Sequence, residues 1–399
     1  MDAFQLGITV ISLAIWVGLL CWRGQFWQAD QHLEVQATEL ELWPSVCAVI
    51  PARNEADLLP TTLRSLLLQD YPGSVSVILV EDQSTDGTAS VARLVAQESN
   101  KTNVLEVLSG EPLSPGWTGK LWALEQGVRH AQKLTPPPDY LLLTDADIEH
   151  DGANLRQLVT KAELEDLDLV SLMVLLRCQS FWEQLLIPAF VFYFQKLYPF
   201  RWVNDPNNPT AAAAGGCILI RRQALSSIGG IQVIRQALID DCALAQAVKS
   251  KSQSEHQEIT GRIWLGLSSL TRSLRPYPSL TSIWEMVART AFTQLNYSPL
   301  LLLATMFGMT LIYLAPPVGG IFGLLTGNWP AAILGLSGSL LMAWAYLPTL
   351  RLYGCVNLLA FCLPAISLLY TLMTLDSALR HWQGRGGAWK GRVYSAAEP

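Results

Sequence analysis

The stretch "YLLLTDADIEH", residues 140 to 150, runs from an apolar strand straight into Asp145 and Asp147, with Glu149, His150 and Asp151 close behind. Two earlier apolar runs end the same way: "SVCAVIPARNE" in Asn54 and Glu55, and "SVSVILVED" in Glu81 and Asp82. Acids gathered at one place repel unless a positive charge lies among them, so the chemistry to expect is a divalent cation holding an anionic ligand. All-oxygen ligands suit Mg2+ or Mn2+. Lys120, in "PGWTGKLWAL", stands at the start of a helical pattern, where backbone N–H groups and a lysine together can hold phosphate. The five histidines show no metal-ligand spacing, and His150 reads as a surface residue beside the acids.

The elements that position these groups alternate. Strand patterns at "SVCAVIP", "SVSVILVE", "NVLEVL" and "DYLLLT" are separated by helical patterns at "DLLPTTLRSLLLQD", "STDGTASVARLVAQE" and "GKLWALEQGVRHAQK". The alternation predicts an α/β fold with right-handed crossovers and a mainly parallel sheet flanked by helices. Ligands of such sheets bind outside the carboxyl ends of the strands, which is why acids far apart in sequence can meet.

Half of the 399 residues are hydrophobic and only 15% are charged, a composition that points to a membrane protein. Residues 3 to 22 are uncharged and long enough to cross a bilayer; they read as an uncleaved anchor, giving an N-terminal segment 1–24. Residues 40–275 have ordinary charge density and read as a soluble domain. An interface helix is expected at 276–297, a membrane region at 298–376 with spans near 299–325, 331–350 and 355–375, and a basic cytoplasmic tail at 377–399. "SFWEQLLIPAFVFYFQKLYPFRW", residues 180–202, is too short to span and suits the membrane interface, with a buried core helix as the alternative. Positive-inside counting puts Arg23, Arg380, Arg385, Lys390 and Arg392 on one face, which three full crossings after the domain would forbid. A re-entrant or interfacial segment near Pro316-Pro317-Val318-Gly319-Gly320 would remove the conflict. The net charge of −6 gives no reason to expect nucleic acid, and seven scattered cysteines suggest neither a disulfide framework nor a zinc site.

With these residues in place, the chain resembles a family 2 glycosyltransferase of the GT-A, Rossmann-like fold over about residues 45 to 275. "VIPARNEADLLPTTLRSL", "VEDQSTDGT", "GKLWALEQG", "TDAD" and "LIDDCALAQAVK" follow that family's motifs in order, and "AGGCILIRRQALSSIGGI" resembles its acceptor-bordering segment, with Gly215 and Gly216. Within the family, "LIDDCALA", "WEMVARTAF" and "GRGGAWKGRVY" look most like the hopene-associated, HpnB-type membrane enzymes. The resemblance implies a nucleotide-sugar donor, UDP-linked, with Glu55 and Asp82 near the nucleoside and Asp145 and Asp147 at a metal on the diphosphate. It implies Lys120 as a further positive charge, Asp241 as the catalytic base of an inverting transfer, and Asp240 as its structural partner. It also implies a lipid acceptor and a multi-pass place in a bacterial inner membrane, with the catalytic domain cytoplasmic. The family's E-D pair is here Asp240-Asp241, and the Q-x-x-R-W motif of processive synthases is absent; only "MVART" stands near its place, keeping Arg289. Long-chain synthesis is therefore not expected. Arg392, in the basic tail, reads either as part of a membrane-surface anchor or as part of a flap over the diphosphate. Rival readings are a glucosyltransferase acting on another lipid of ceramide or carotenoid type, a metal-dependent nucleotidyltransferase, and a non-catalytic membrane scaffold.

Overall fold

The computed structural model describes residues 2–33, 40–251 and 261–386 and the short strands 388–389 and 392–393. The chain opens with helix α1 (Asp2–Trp22), then enters an eight-stranded sheet made by β1 (Val46–Ala52), β2 (Val75–Glu81), β3 (Leu105–Ser109), β4 (Tyr140–Thr144), β5 (Ile148–Glu149), β6 (Leu169–Leu175), β7 (Cys217–Arg221) and β8 (Ile263–Ser273). The strand order is β3-β2-β1-β4-β7-β6-β8-β5. Pairs β3–β2, β2–β1, β1–β4 and β6–β8 are parallel, while β7 runs against both of its neighbours and β5 against β8. The sheet is thus mixed with one dominant direction. The antiparallel strand β7 has no counterpart in the alternation read from sequence.

Every residue of β1 is buried, as a central parallel strand covered on both faces requires. Pro51 does not stop that strand: pairing continues to Ala52 opposite Glu81. Helices α2 (Leu59–Leu67), α3 (Thr88–Glu98), α4 (Gly119–Ala131) and α5 (Asn154–Leu164) cover the two faces. Gly127 lets α4 lie directly on the sheet, since a Cβ there would come within 2.4 Å of Val49 Cγ1.

Helix α6 (Phe181–Leu197) begins with a capping box in which Ser180 and Glu183 exchange bonds with each other's backbone. Its apolar centre is covered by protein. Val191 belongs to the core under the sheet, while Leu186, Ala189 and Phe192 belong to a second core shared with Trp16, Met342, Tyr346 and Ile366. This favours the buried-helix reading of residues 180–202. Short helices α7 (Phe200–Val203) and α8 (Arg222–Ser227) lead to α9 (Asp240–Lys251), and α10 (Leu280–Ala288) follows the last long strand.

Helices α11 (Pro299–Met309), α12 (Ala315–Thr326), α13 (Trp329–Leu352) and α14 (Leu363–Trp382) complete the fold. Four helical segments are long and apolar enough to cross a membrane: Ala3–Trp22, Pro299–Thr326, Trp329–Leu352 and Asn357–Trp382. Pro316 to Gly320, the expected place of a re-entrant or interfacial segment, lie within the continuous helical segment Pro299–Thr326. A π turn at Thr310–Leu314 joins α11 to α12, and the prolines fall in the first turn of α12, where a missing N–H is tolerated. The tip of the α12–α13 hairpin meets the start of α1, with Asn328 Nδ2 donating to Gln5 Oε1 at 3.4 Å, and Gln5 Nε2 donates to Gly319 O further along α12 at 3.0 Å. By contrast α14 packs on α6 and α10 as well as on α11. Before it, Cys355 lies 3.6 Å from Cys178; in its middle Tyr370 donates to Leu186 O at 2.9 Å; near its end Phe292 N donates to Ser377 Oγ at 3.0 Å.

Candidate active site

The carboxyl ends of β1 and β4, the turn before β7, the start of α9 and the segment after β8 surround one cavity of about 880 Å3. Glu55, Lys120, Asp145, Asp147, Gly215, Gly216, Asp240, Asp241 and Arg289, all expected from sequence, line it.

Lys120 is the hub of its deeper part. It sits in the first turn of α4 and its Nζ lies 3.0 Å from Asp145 Oδ1 and 3.1 Å from Asp240 Oδ2. Burial disfavours its charge, but Asp145, Asp240 and Asp241 outweigh that and hold it protonated. Gly215 leaves room for this cluster: a Cβ there would stand 3.2 Å from Lys120 Nζ and 3.4 Å from Asp241 Oδ2. Asp241 accepts from Gly215 N at 2.9 Å and from Cys242 N at 2.7 Å. Burial raises its carboxyl and the adjacent Asp240 raises it further, to about 6, although Lys120 and the two N–H groups pull the other way. A carboxylate titrating there is placed to accept a proton near neutral pH.

A second cation, not foreseen from sequence, lies on the other side. Arg275 follows β8 and donates to Glu55 Oε1 at 2.6 Å, while its Nε is 3.5 Å from Asp147 Oδ2. Ser273 Oγ also donates to Asp147 Oδ2, at 2.5 Å. The rule that charged residues just past a strand mark the ligand edge applies to "SLTRSLRPYP" as well as to the acids, and would have singled out Arg275. Arg380 and Arg385, from the end of α14 and beyond it, also line the cavity. No local signal points to them, because only tertiary packing carries α14 to the site.

Asp82 does not line this cavity. It is buried on the neighbouring strand end, 3.5 Å from Arg53, whose Nη1 also donates to Asp82 O at 2.7 Å. His150 is not a surface residue: it is buried between Thr144 Oγ1 and Asn154 Nδ2, each 3.0 Å away, and burial lowers its pKa to about 4. The start of α5 and the end of β4 enclose it, a tertiary effect invisible in a local window. Arg392 falls in the short strand 392–393, and its side chain lies outside the described residues.

The carboxylates suit a divalent ion shared with a ligand. One oxygen of Asp145 is committed to Lys120 and one of Asp147 to Ser273, leaving each a second, hard oxygen donor. Among the described residues no group of three or more His, Cys, Asp or Glu side chains is placed to hold a metal alone. A divalent ion held there would take its remaining positions from water and ligand oxygens, as Mg2+ does on a phosphate.

A mixed sheet flanked by helices, with carboxylates gathered at its strand ends, is the GT-A type of fold, carrying terminal apolar helices that are candidate membrane spans. Residues 47–229 match the family described as glycosyl transferase family 2, a span that holds Glu55, Lys120, Asp145, Asp147, Gly215 and Gly216 of the cavity. A mannosyltransferase from Pyrobaculum calidifontis, solved with GDP-Man and Mn2+, superposes with a TM-score of 0.54 over 94% of this chain and 98% of its own, at 18% identity. A 4,4'-diaponeurosporenoate glycosyltransferase of Staphylococcus aureus (strain bovine RF122 / ET3-1) is 39% identical over 87 residues, 22% of this chain and 21% of its own length. Its Staphylococcus haemolyticus counterpart is 34% identical over 111 residues, 28% of this chain and 26% of its own. The match thus spans about a fifth to a quarter of the curated relatives.

Proposed function

We propose that this protein is a glycosyltransferase that moves one sugar from a nucleoside-diphosphate sugar, UDP-linked, to a lipid at a membrane surface, with inversion at the anomeric carbon. The observation that carries the reading is one cavity holding both halves of the chemistry: Asp145, Asp147 and Lys120 for the donor diphosphate, Asp241 beside Lys120 for the acceptor hydroxyl, and an apolar wall that includes Met173, Leu176, Phe190 and Phe194.

Asp145 and Asp147 would hold Mg2+ or Mn2+, which when bound stabilises the charge growing on the departing diphosphate. Lys120 contributes a fixed positive charge at a helix start, where phosphate is favoured. Asp241, held at both oxygens by backbone N–H groups, accepts the proton of the acceptor hydroxyl at Oδ1 or Oδ2 as that oxygen attacks. Asp240 orients Lys120 and leaves its neighbour free for that proton. Glu55, tied to Arg275, shapes the donor side, and Gly215 and Gly216 keep the acceptor side open.

A hopanoid fits as acceptor on the motif resemblance. A second reading, a carotenoid acid, is favoured by the named substrate of the staphylococcal relatives. Purified full-length protein supplied with labelled UDP-glucose, UDP-GlcNAc or GDP-Man and with hopanoid or carotenoid acceptors tests both readings. Label passing into the lipid phase only with Mg2+ or Mn2+, and not in Asp241→Asn, supports transfer. Exchange of labelled pyrophosphate into the nucleotide sugar would instead reveal a nucleotidyltransferase.

A further inference from the structure

In the donor half both cations are already paired: Lys120 bridges Asp145 and Asp240, and Arg275 bridges Glu55 and Asp147. Arg289 at the end of α10 also lines the cavity, and so do Arg380 and Arg385. The last two come from the last turn of α14 and the residues beyond it.

Arg380 is set in place. Its Nε lies 2.7 Å from Asp376 Oδ2, and the same oxygen accepts from Trp284 Nε1 on α10, also at 2.7 Å. That arrangement fixes the guanidinium through its Nε and leaves both terminal nitrogens for a ligand. Arg385 has only the neutral Gln383 as a side-chain partner among the described residues. A planar guanidinium oriented in this way matches a carboxylate or a phosphate, which it binds by two parallel bonds.

The same cavity has an apolar wall that includes Met173, Val174, Leu176, Phe190, Phe194 and Met286. A ligand that satisfies both must be amphiphilic, with an acidic head. We propose that Arg380 and Arg385 form an anion site for the acceptor headgroup, with Asp376 and Trp284 as positioning residues, so that the acceptor is a lipid carrying an acidic group in addition to the hydroxyl whose proton Asp241 takes. The inference rests on the sugar-transfer reading for the word acceptor, but the anion site stands on its own geometry.

The test uses full-length protein in an uncharged maltoside detergent and two separate binding measurements. In the first, labelled palmitate, dodecyl phosphate and dodecanol compete for the cavity; in the second, UDP- and GDP-sugars are titrated. Wild type is expected to hold at least one of the two anionic amphiphiles about tenfold or more tightly than the alcohol, the value of a charge-assisted contact. Preference for palmitate assigns a carboxylate head, and preference for dodecyl phosphate a phosphate head. Arg380→Gln should abolish the preference while donor affinity stays within about twofold, Arg380→Lys should restore part of it, and Asp376→Asn should give an intermediate loss. Equal binding of anionic and neutral amphiphiles overturns the proposal, as does an Arg380→Gln variant that loses donor affinity and keeps the amphiphile preference, since the arginine would then serve the diphosphate. A wild type that binds no nucleotide sugar yet keeps the preference sinks the sugar-transfer reading and leaves the anion site standing.

Discussion

At the scale of single residues, Asp241 has two independent signatures. It is the acid held by Gly215 N and Cys242 N, and its carboxyl stands at about 6 because of burial and Asp240. A base must be deprotonated to act, so transfer should fall as pH drops through about 6, with the acid limb of kcat/KM reporting this group. Asp241→Asn should bind donor normally, transfer at least about a hundredfold more slowly and lose that limb. Asp147→Ala should lose metal-dependent donor binding yet stay folded. It lies at a loop edge, and its loss frees Ser273 and Arg275 without opening the core. Retained metal-dependent binding, measured by calorimetry, would remove Asp147 from the metal site. Glu55, Asp82, Asp145 and Asp147 were legible because each follows a strand, whereas Asp240 and Asp241 were legible only through the resemblance of the helix they open. Arg275 was harder to see, because its partner Glu55 is 220 positions away in the chain and only the closed sheet brings them together.

At the scale of elements, Glu183 ties two of them. Its carboxylate accepts from Gln179 N, Ser180 N and Tyr277 N and pairs with Arg177, so the start of α6 and the loop carrying Arg275 share one anchor. Burial opposes its ionisation, but these donors prevail and bring it to about 2. A depressed carboxyl stabilises the fold above its unfolded value, and this support is lost as pH falls from about 4.5 towards 2. Glu183→Ala should lower stability by about 2–4 kcal/mol, seen as an earlier thermal transition, and should raise donor KM by loosening Arg275. The alternation of strands and helices was legible because hydrophobic periodicity is local. Strand β7 was not, since an apolar "CILIR" carries no mark of its direction. Nor was the burial of His150 or of α6, which depends on what packs against them.

For the whole molecule, the path of the candidate membrane spans bears on the charge conflict in the sequence. The start of Asn357–Trp382 lies by Cys178 of the sheet domain and its end by Phe292 after α10, whereas the Gly327 turn lies beside the start of α1. If α1, Pro299–Thr326 and Trp329–Leu352 cross and α14 lies along the domain, then Arg23, Arg351, Arg380 and Arg385 all fall on one face. Single cysteines placed at Asn357 and Gln383 should then resist an impermeant reagent added outside intact cells, while one at Thr326 reacts; labelling at Gln383 alone would make α14 a crossing.

Helix α6 carries one more consequence. Because Val191 packs into the sheet core and Leu186, Ala189 and Phe192 into the helical one, neither body keeps its inner lining if the other is removed. Truncation after residue 297 would bare that second face, together with Ile283 and Val287 of α10, to water. Such a fragment should collect in inclusion bodies, and the full-length protein should melt in a single cooperative step in detergent. The apolar helical bundle is thereby the folding partner of the sheet domain.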